Sequence, residues 1–210
     1  LFKIFKYINI LMKNLDLVNT YLAGCLRSFP ITIYFFMLLN LIISFNERHL
    51  YDVIIVLIGG FSNLLFLKPL FKSIYNVFGV KKLPLLGLGG RPKGAYSCSD
   101  FYNCNDYAKR IESTSFGMPS GHSQVAWTFS CFYITEIWNN NKIHKTSDTA
   151  KIFQSIMLLL FSSIMSYYRV YVEGCHKIEK VVMGAIFGGL IGYFGSKYKE
   201  SILNYLKKNN

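Results

Sequence analysis

Negative charge is scarce in this chain: 11 Asp and Glu stand against 23 Lys and Arg, and charged residues of both signs make up only 16% of the 210 positions. So little charge argues against an ordinary soluble domain, which needs more of it at its surface. Clusters of carboxylates that could clamp a divalent metal are missing as well, and the five cysteines fall at no metal-ligand spacing, which sets aside a zinc-stabilised module. Cys98 and Cys104 share one polar loop and can pair if it faces an oxidising lumen, whereas Cys25, Cys131 and Cys175 stand isolated.

What is abundant is apolar. Hydrophobic residues reach 52% and aromatic residues 17%, the balance of a membrane protein. The formal charge of +12 raises the question of nucleic acid, but that reading needs a basic stripe on a polar fold. Here the Lys and Arg residues sit between apolar runs, a placement suited to anionic lipid headgroups or a phosphate-bearing ligand; no nucleic-acid partner is expected.

Five apolar runs approach the roughly 20 residues that cross a hydrocarbon layer: 31–45, 53–71, 125–138 with its flanks, 152–168 and 181–194. Lipid leaves no partner for an unpaired backbone group, and the runs lack the alternation of barrel strands, so all should be helices. The expected fold is all-α, a polytopic membrane bundle of about five to six transmembrane helices. Residues 1–29 read as an amphipathic interfacial segment, with Lys3 and Lys6 in the apolar stretch, or as a truncated first helix; residues 30–200 read as one membrane domain and 201–210 as a basic tail. Gly184, Gly188 and Gly192 recur every fourth residue, a small-residue stripe that suits close helix packing.

Threading the chain through alternate spans brings three polar segments to one face: the long connection 72–118, the string GMPSGHSQ at 117–124, and the turn 168–180. The opposite face receives 46–52, 139–151 and a C-terminal stretch carrying Lys197, Lys199, Lys207 and Lys208. Its short basic loops favour the cytosol, so the converging face is expected on the luminal or extracytoplasmic side of an endoplasmic-reticulum-type membrane.

That converging face collects Arg91, Ser120, Gly121, His122, Arg169 and His176, with Lys68 or Lys82 nearby. Cations, two imidazoles and a helix N-terminus opening at Pro119 suit a phosphate group. Gly121 lets a ligand approach the backbone. His122 in the first turn can give a proton to a departing oxygen, and an imidazole such as His176 can attack phosphorus. The same residues also fit a plain helix cap at Ser120, an interfacial His122 and a structural Arg169 at a helix end.

Arg91-Pro92, the string PSGH at 119–122, and Arg169 followed by His176 resemble the three motifs of the type 2 phosphatidic acid phosphatase superfamily, across residues 63–188. GMPSGHSQ and the later HKIEKVVMG are most similar to its dolichyl-diphosphatase branch. The resemblance implies a PAP2/haloperoxidase-like helical core and cofactor-free hydrolysis of a lipid phosphate or polyprenyl diphosphate through a phosphohistidine. It also implies that Arg91, Arg169, Ser120, the Gly121 amide and a lysine hold phosphate, that His122 is the general acid and that His176 is the nucleophile.

Three positions depart from the family pattern. The lysine expected six intervening residues before the Arg-Pro pair is Pro84, which leaves Lys82 or Lys68 as substitutes. Six residues rather than five separate Arg169 from His176, implying a bulge or an extra residue in that turn. Four residues after the histidine, where the family has Asp or Gln, stands Lys180, which cannot accept an imidazole N–H; Glu179, on nearly the same helix face, is the candidate to orient His176 instead. Two alternatives use the same scaffold: phosphoryl transfer to an alcohol, and a lipid-phosphate-binding protein without turnover.

Overall fold

The computed structural model describes residues 24–95, 115–139 and 147–209. Helix α1 (Gly24–Ile43) begins within the 1–29 segment read as interfacial, so its first turns belong to the bundle; residues 1–23 lie outside the described ones. Helix α2 (Glu47–Ser62) starts at Asn46, whose side chain accepts the Arg48 N–H, with Glu47 in the positive first turn. A π-helical turn, Asn63–Leu67, carries it without a break into α3 (Lys68–Val77). A short hairpin follows, β1 (Lys82–Leu83) against β2 (Gly87–Leu88), antiparallel with Lys82 opposite Leu88.

Helices α4 (Gly121–Asn139), α5 (Asp148–Tyr167) and α6 (Ile178–Asn209) complete the described chain. Ser147 caps α5 by accepting the Ala150 N–H, again with an acid, Asp148, in the first turn. Residues 201–209, expected as a separate basic tail, are the last turns of α6.

The expected all-α membrane bundle is what forms. Among the described residues four helical rods are long and apolar enough to cross a membrane: Gly24–Ile43, Glu47–Val77, Asp148–Val172 and Ile178–Asn209. Their outer surfaces expose Phe36, Ile42, Phe66, Phe153 and Leu190, while Gln124, Thr128, Ser162 and Arg169 are buried, the inside-out distribution of a chain solvated by lipid. Helix α4, the fifth expected span, is not among those four. It is the hub of the bundle, and the positions it buries include Ser123, Gln124, Thr128 and Ser130, whose polar side chains lower its hydropathy.

Helices α4 and α6 run parallel and touch backbone to backbone. A Cβ on Gly184 would meet the carbonyl oxygen of Ser120, one on Gly188 that of Gln124, and one on Gly192 that of Thr128, each well inside van der Waals contact. The stripe is a packing seam, as its spacing suggests. At the end remote from the converging loops, Lys199 lies between Asp52 at 2.6 Å and Glu136 at 3.1 Å, and Ser196 donates to Glu136 at 2.9 Å. Lys199 is buried rather than free on a solvated tail, because two carboxylates on α2 and α4 neutralise it there.

Gly188→Ala should therefore destabilise. The added methyl meets backbone that cannot rotate away, and overpacking of this kind costs roughly 1–3 kcal/mol, more than the helix-propensity gain of about 1 kcal/mol for replacing glycine. A lower thermal midpoint in detergent is the expected outcome; an unchanged or raised one would show that the seam yields.

Candidate active site

The site forms where the loops converge, around the N-terminus of α4. The Met118–Pro119 peptide is cis and Ser120 precedes the helix, its N–H donating to the Lys180 carbonyl at 3.0 Å while its own carbonyl accepts from Gln124 at 3.0 Å. The backbone seam between α4 and α6 thus continues into the site. Below it, Asn63, at the start of the π-turn, donates to the Gln124 side-chain oxygen at 2.7 Å, and Gln124 donates to the Gly59 carbonyl at 2.8 Å and the Ser62 hydroxyl at 2.9 Å. A Cβ on Gly121 would sit 3.3 Å from Asn63 Oδ1, so the glycine keeps α2 and the start of α4 close.

Arg91 arrives on a loop held by three attachments. Gly90 bridges to Phe116, the Gly117 N–H donates to the Gly89 carbonyl at 3.1 Å, and Arg91 Nε donates to Ser115 Oγ at 3.0 Å. A fourth comes from α6: the ammonium of the fully buried Lys180 donates to the Gly90 carbonyl. Lys180 therefore braces the Arg91 loop and adds a buried cation to the site.

Arg169 is 1% exposed and lies in a second π-helical turn, Tyr168–Val172, that extends α5. Of the six residues between Arg169 and His176, 170–172 finish this turn and 173–175 are non-helical. Cys175 and His176 both donate their N–H groups to the Arg169 carbonyl, at 3.2 and 3.3 Å, so the turn folds back and brings the histidine next to the arginine in space. Glu173 accepts from the Arg169 and Arg27 guanidinium groups with its two carboxylate oxygens. Cys175, expected to stand alone, is disulfide-bonded. Cys25 and Cys131 are free, so its partner is not among the described residues; Cys98 and Cys104, proposed as a pair, lie outside them.

His176 is buried and its pKa is held well below the usual histidine value, first by burial and then by Arg169, Arg91, Lys180 and His122. Burial among cations thus favours the neutral ring, which keeps a lone pair available. Arg91 is likewise lowered, by burial and then by Arg169, with Glu173 acting in the opposite direction. Among the described residues, the buried Arg91 Nη1, Ser120 Oγ and His176 Nδ1 have no hydrogen-bond partner. Orphans of this kind are uncommon in a folded interior, and they leave polar atoms available to a ligand at this end of the bundle.

The structure gathers Arg91, Ser120, Gly121, His122, Arg169 and His176 at this end of the bundle. Lys68, half-buried on α3, lies within electrostatic reach of Arg91 and Arg169, whereas Lys82 is exposed on β1. Glu179 does not take the orienting role: its carboxylate lies over Gly87, whose φ of 68° requires glycine, and His176 Nδ1 has no hydrogen-bond partner among the described residues. The hairpin claims the glutamate first. Arg27, Glu173, Asn63 and Gln124 went unrecognised in the sequence; Gln124 ends the GMPSGHSQ string and Glu173 lies within the lengthened turn, but Arg27 and Asn63 carry no local signal.

A model of the PAP2 superfamily matches residues 67–201. The chain belongs to that superfamily. The match contains both histidines and both motif arginines of the site. The chain is also 30% identical over 99 residues to dolichyldiphosphatase 1 of Homo sapiens and, at the same identity, to the Callithrix jacchus protein of that name, covering 44% of this chain and 40% of each relative. No solved structure matches.

The depressed pKa of His176 makes stability depend on pH. The unfolded chain takes up a proton near 6.5 that the folded ring refuses, so this contribution is complete above 6.5 and is lost as pH falls below it. Replacing His176 by Asn should flatten the fall in thermal midpoint between about pH 7.5 and 5.5. A variant whose midpoint falls as steeply as the parent's would show that other groups set the dependence.

Proposed function

We propose that this PAP2 protein is a membrane phosphatase that hydrolyses a lipid phosphate or polyprenyl diphosphate through a phosphohistidine, without a metal. The observation that carries the reading is the buried, neutral His176 beside Arg169 and Arg91, with unsatisfied polar atoms on Arg91, Ser120 and the ring itself. The names of the dolichyldiphosphatase relatives favour a lipid diphosphate.

In this mechanism the arginines, Lys68, the Ser120 hydroxyl and the α4 N-terminus bind the phosphoryl oxygens. A ring nitrogen of His176 attacks phosphorus, the P–O bond to the leaving group breaks (the lipid alcohol of a monophosphate, the lipid monophosphate of a diphosphate), and the departing oxygen takes a proton from His122. Water then attacks phosphorus and gives a proton back to His122, breaking the P–N bond, freeing His176 and releasing phosphate. The donor set is cationic and would repel a divalent metal, which supports metal independence. The Nδ1 of His176, without a partner among the described residues, favours one competing reading, a lipid-phosphate-binding protein that does not turn over.

Purified protein given a phosphorus-32-labelled polyprenyl diphosphate in EDTA decides between them. Activity should survive the chelator, fall with vanadate and trap acid-labile label on His176; His176→Ala should lose label and turnover together. Arg169→Lys should lose on the order of 100-fold in kcat/KM, since a point charge cannot replace a bidentate fork. Binding without label would favour the inactive reading.

We also place the site on the luminal or extracytoplasmic side, supported by the disulfide at Cys175, since such bonds persist in oxidising compartments. With Cys25 replaced by Ser, a cysteine introduced at the exposed Lys207 should resist impermeant maleimide in intact cells. Ready labelling would invert the topology.

A further inference from the structure

Arg27 lies outside the family-matched residues 67–201, on a helix that contributes no motif residue, yet it touches the machinery twice. Its guanidinium pairs with one oxygen of Glu173 while Arg169 pairs with the other. Its backbone carbonyl oxygen lies 3.0 Å from His122 Nε2. A carbonyl can only accept, so Nε2 must carry the hydrogen, and a second proton for a leaving group then goes on Nδ1. One residue of α1 thus sets the tautomer of one catalytic histidine and, through Glu173, the attitude of the arginine on which the other histidine is folded.

We propose that Arg27 and Glu173 are positioning residues that couple α1 to the phosphoryl site, Glu173 clamping the Arg169 fork and Arg27 clamping Glu173. The side chains of Arg169 and Glu173 are 1% and 2% exposed and that of Arg27 is 14%, so the triad is shielded from solvent that would otherwise loosen ion pairs. A guanidinium with its pairing edge fixed has less freedom left to lose when phosphate arrives, which favours the geometry of the transition state over mere attraction of an anion. Glu173 itself lies in the segment that links Arg169 to His176, so the clamp and the fold of that segment involve the same residues.

The inference rests on the phosphatase reading and is tested so that each can fail separately. Arg27→Ala, Arg27→Lys, Glu173→Gln and the Arg27→Ala/Glu173→Gln double variant are compared with the parent for kcat, KM, and the affinities of vanadate and of inorganic phosphate. Both disruptive single changes should lower kcat by at least about tenfold with KM little changed, because orientation rather than ground-state attraction is lost. Vanadate, which can adopt the five-coordinate geometry, should weaken in parallel while inorganic phosphate changes little. Arg27→Lys should recover most of the loss, and the double variant should be no worse than the worse single one, as expected of residues acting in one chain.

Parent-like kcat and vanadate affinity in Arg27→Ala, or additive losses in the double variant, would overturn the clamp while leaving the phosphatase intact. Tighter vanadate binding by Glu173→Gln would also overturn it, since that is the signature of a carboxylate that merely offsets charge. A parent that neither turns over a lipid phosphate nor binds vanadate would remove the phosphatase reading and this inference with it.

Discussion

The contact on which the rest of the structure depends is the backbone seam between α4 and α6. Three glycines allow two helices to approach until carbonyl oxygens of one face the Cα atoms of the other. In lipid there is little hydrophobic drive to bring helices together, so this close approach supplies dispersion and little side-chain entropy is lost in forming it. The seam fixes the axial register of α6 against α4, and Ser120 and Lys180 join at its upper end. The PSGH string on α4 and the turn before α6 therefore meet at a defined height, which brings the two imidazoles within electrostatic reach of each other.

The site is assembled at the cost of concentrating positive charge. Arg91, Arg169, Lys68 and Lys180 gather where water is scarce, and among the described residues Glu173 is the carboxylate that pairs directly into the group. Mutual repulsion among such groups is offset by backbone oxygens, as at Gly90 for Lys180, and by anchoring at the ends of helices that are themselves locked together. The remote cluster of Lys199, Asp52 and Glu136 ties α2, α4 and α6 at the other end. A bundle pinned at both ends can hold such a repulsive constellation in place.

Much of this was legible in the chain. The apolar runs announced the helices, and PSGH with its flanking arginines announced residues that the fold brings to one end of the bundle, because both signals are local in sequence. The glycine stripe was readable for the same reason. Other features were not. Lys199 reads as a tail charge until the two acids that hold it, on α2 and α4, are brought within reach. Glu179 occupies the right helical face for His176, but a hairpin glycine about ninety residues earlier takes its carboxylate. Arg27 belongs to a helix whose sequence is merely apolar, and its role exists only through tertiary contacts with residues 122 and 173. Local periodicity has no access to such pairings.

The π-helical turn at Tyr168–Val172 ends α5, and the last carbonyls of a helix have no partner within it. That of Arg169 is taken by the N–H groups of Cys175 and His176. The spacing of the arginine and the histidine is thus written into main-chain hydrogen bonds at a helix end, and not into a helical repeat that carries one side chain into line with the other.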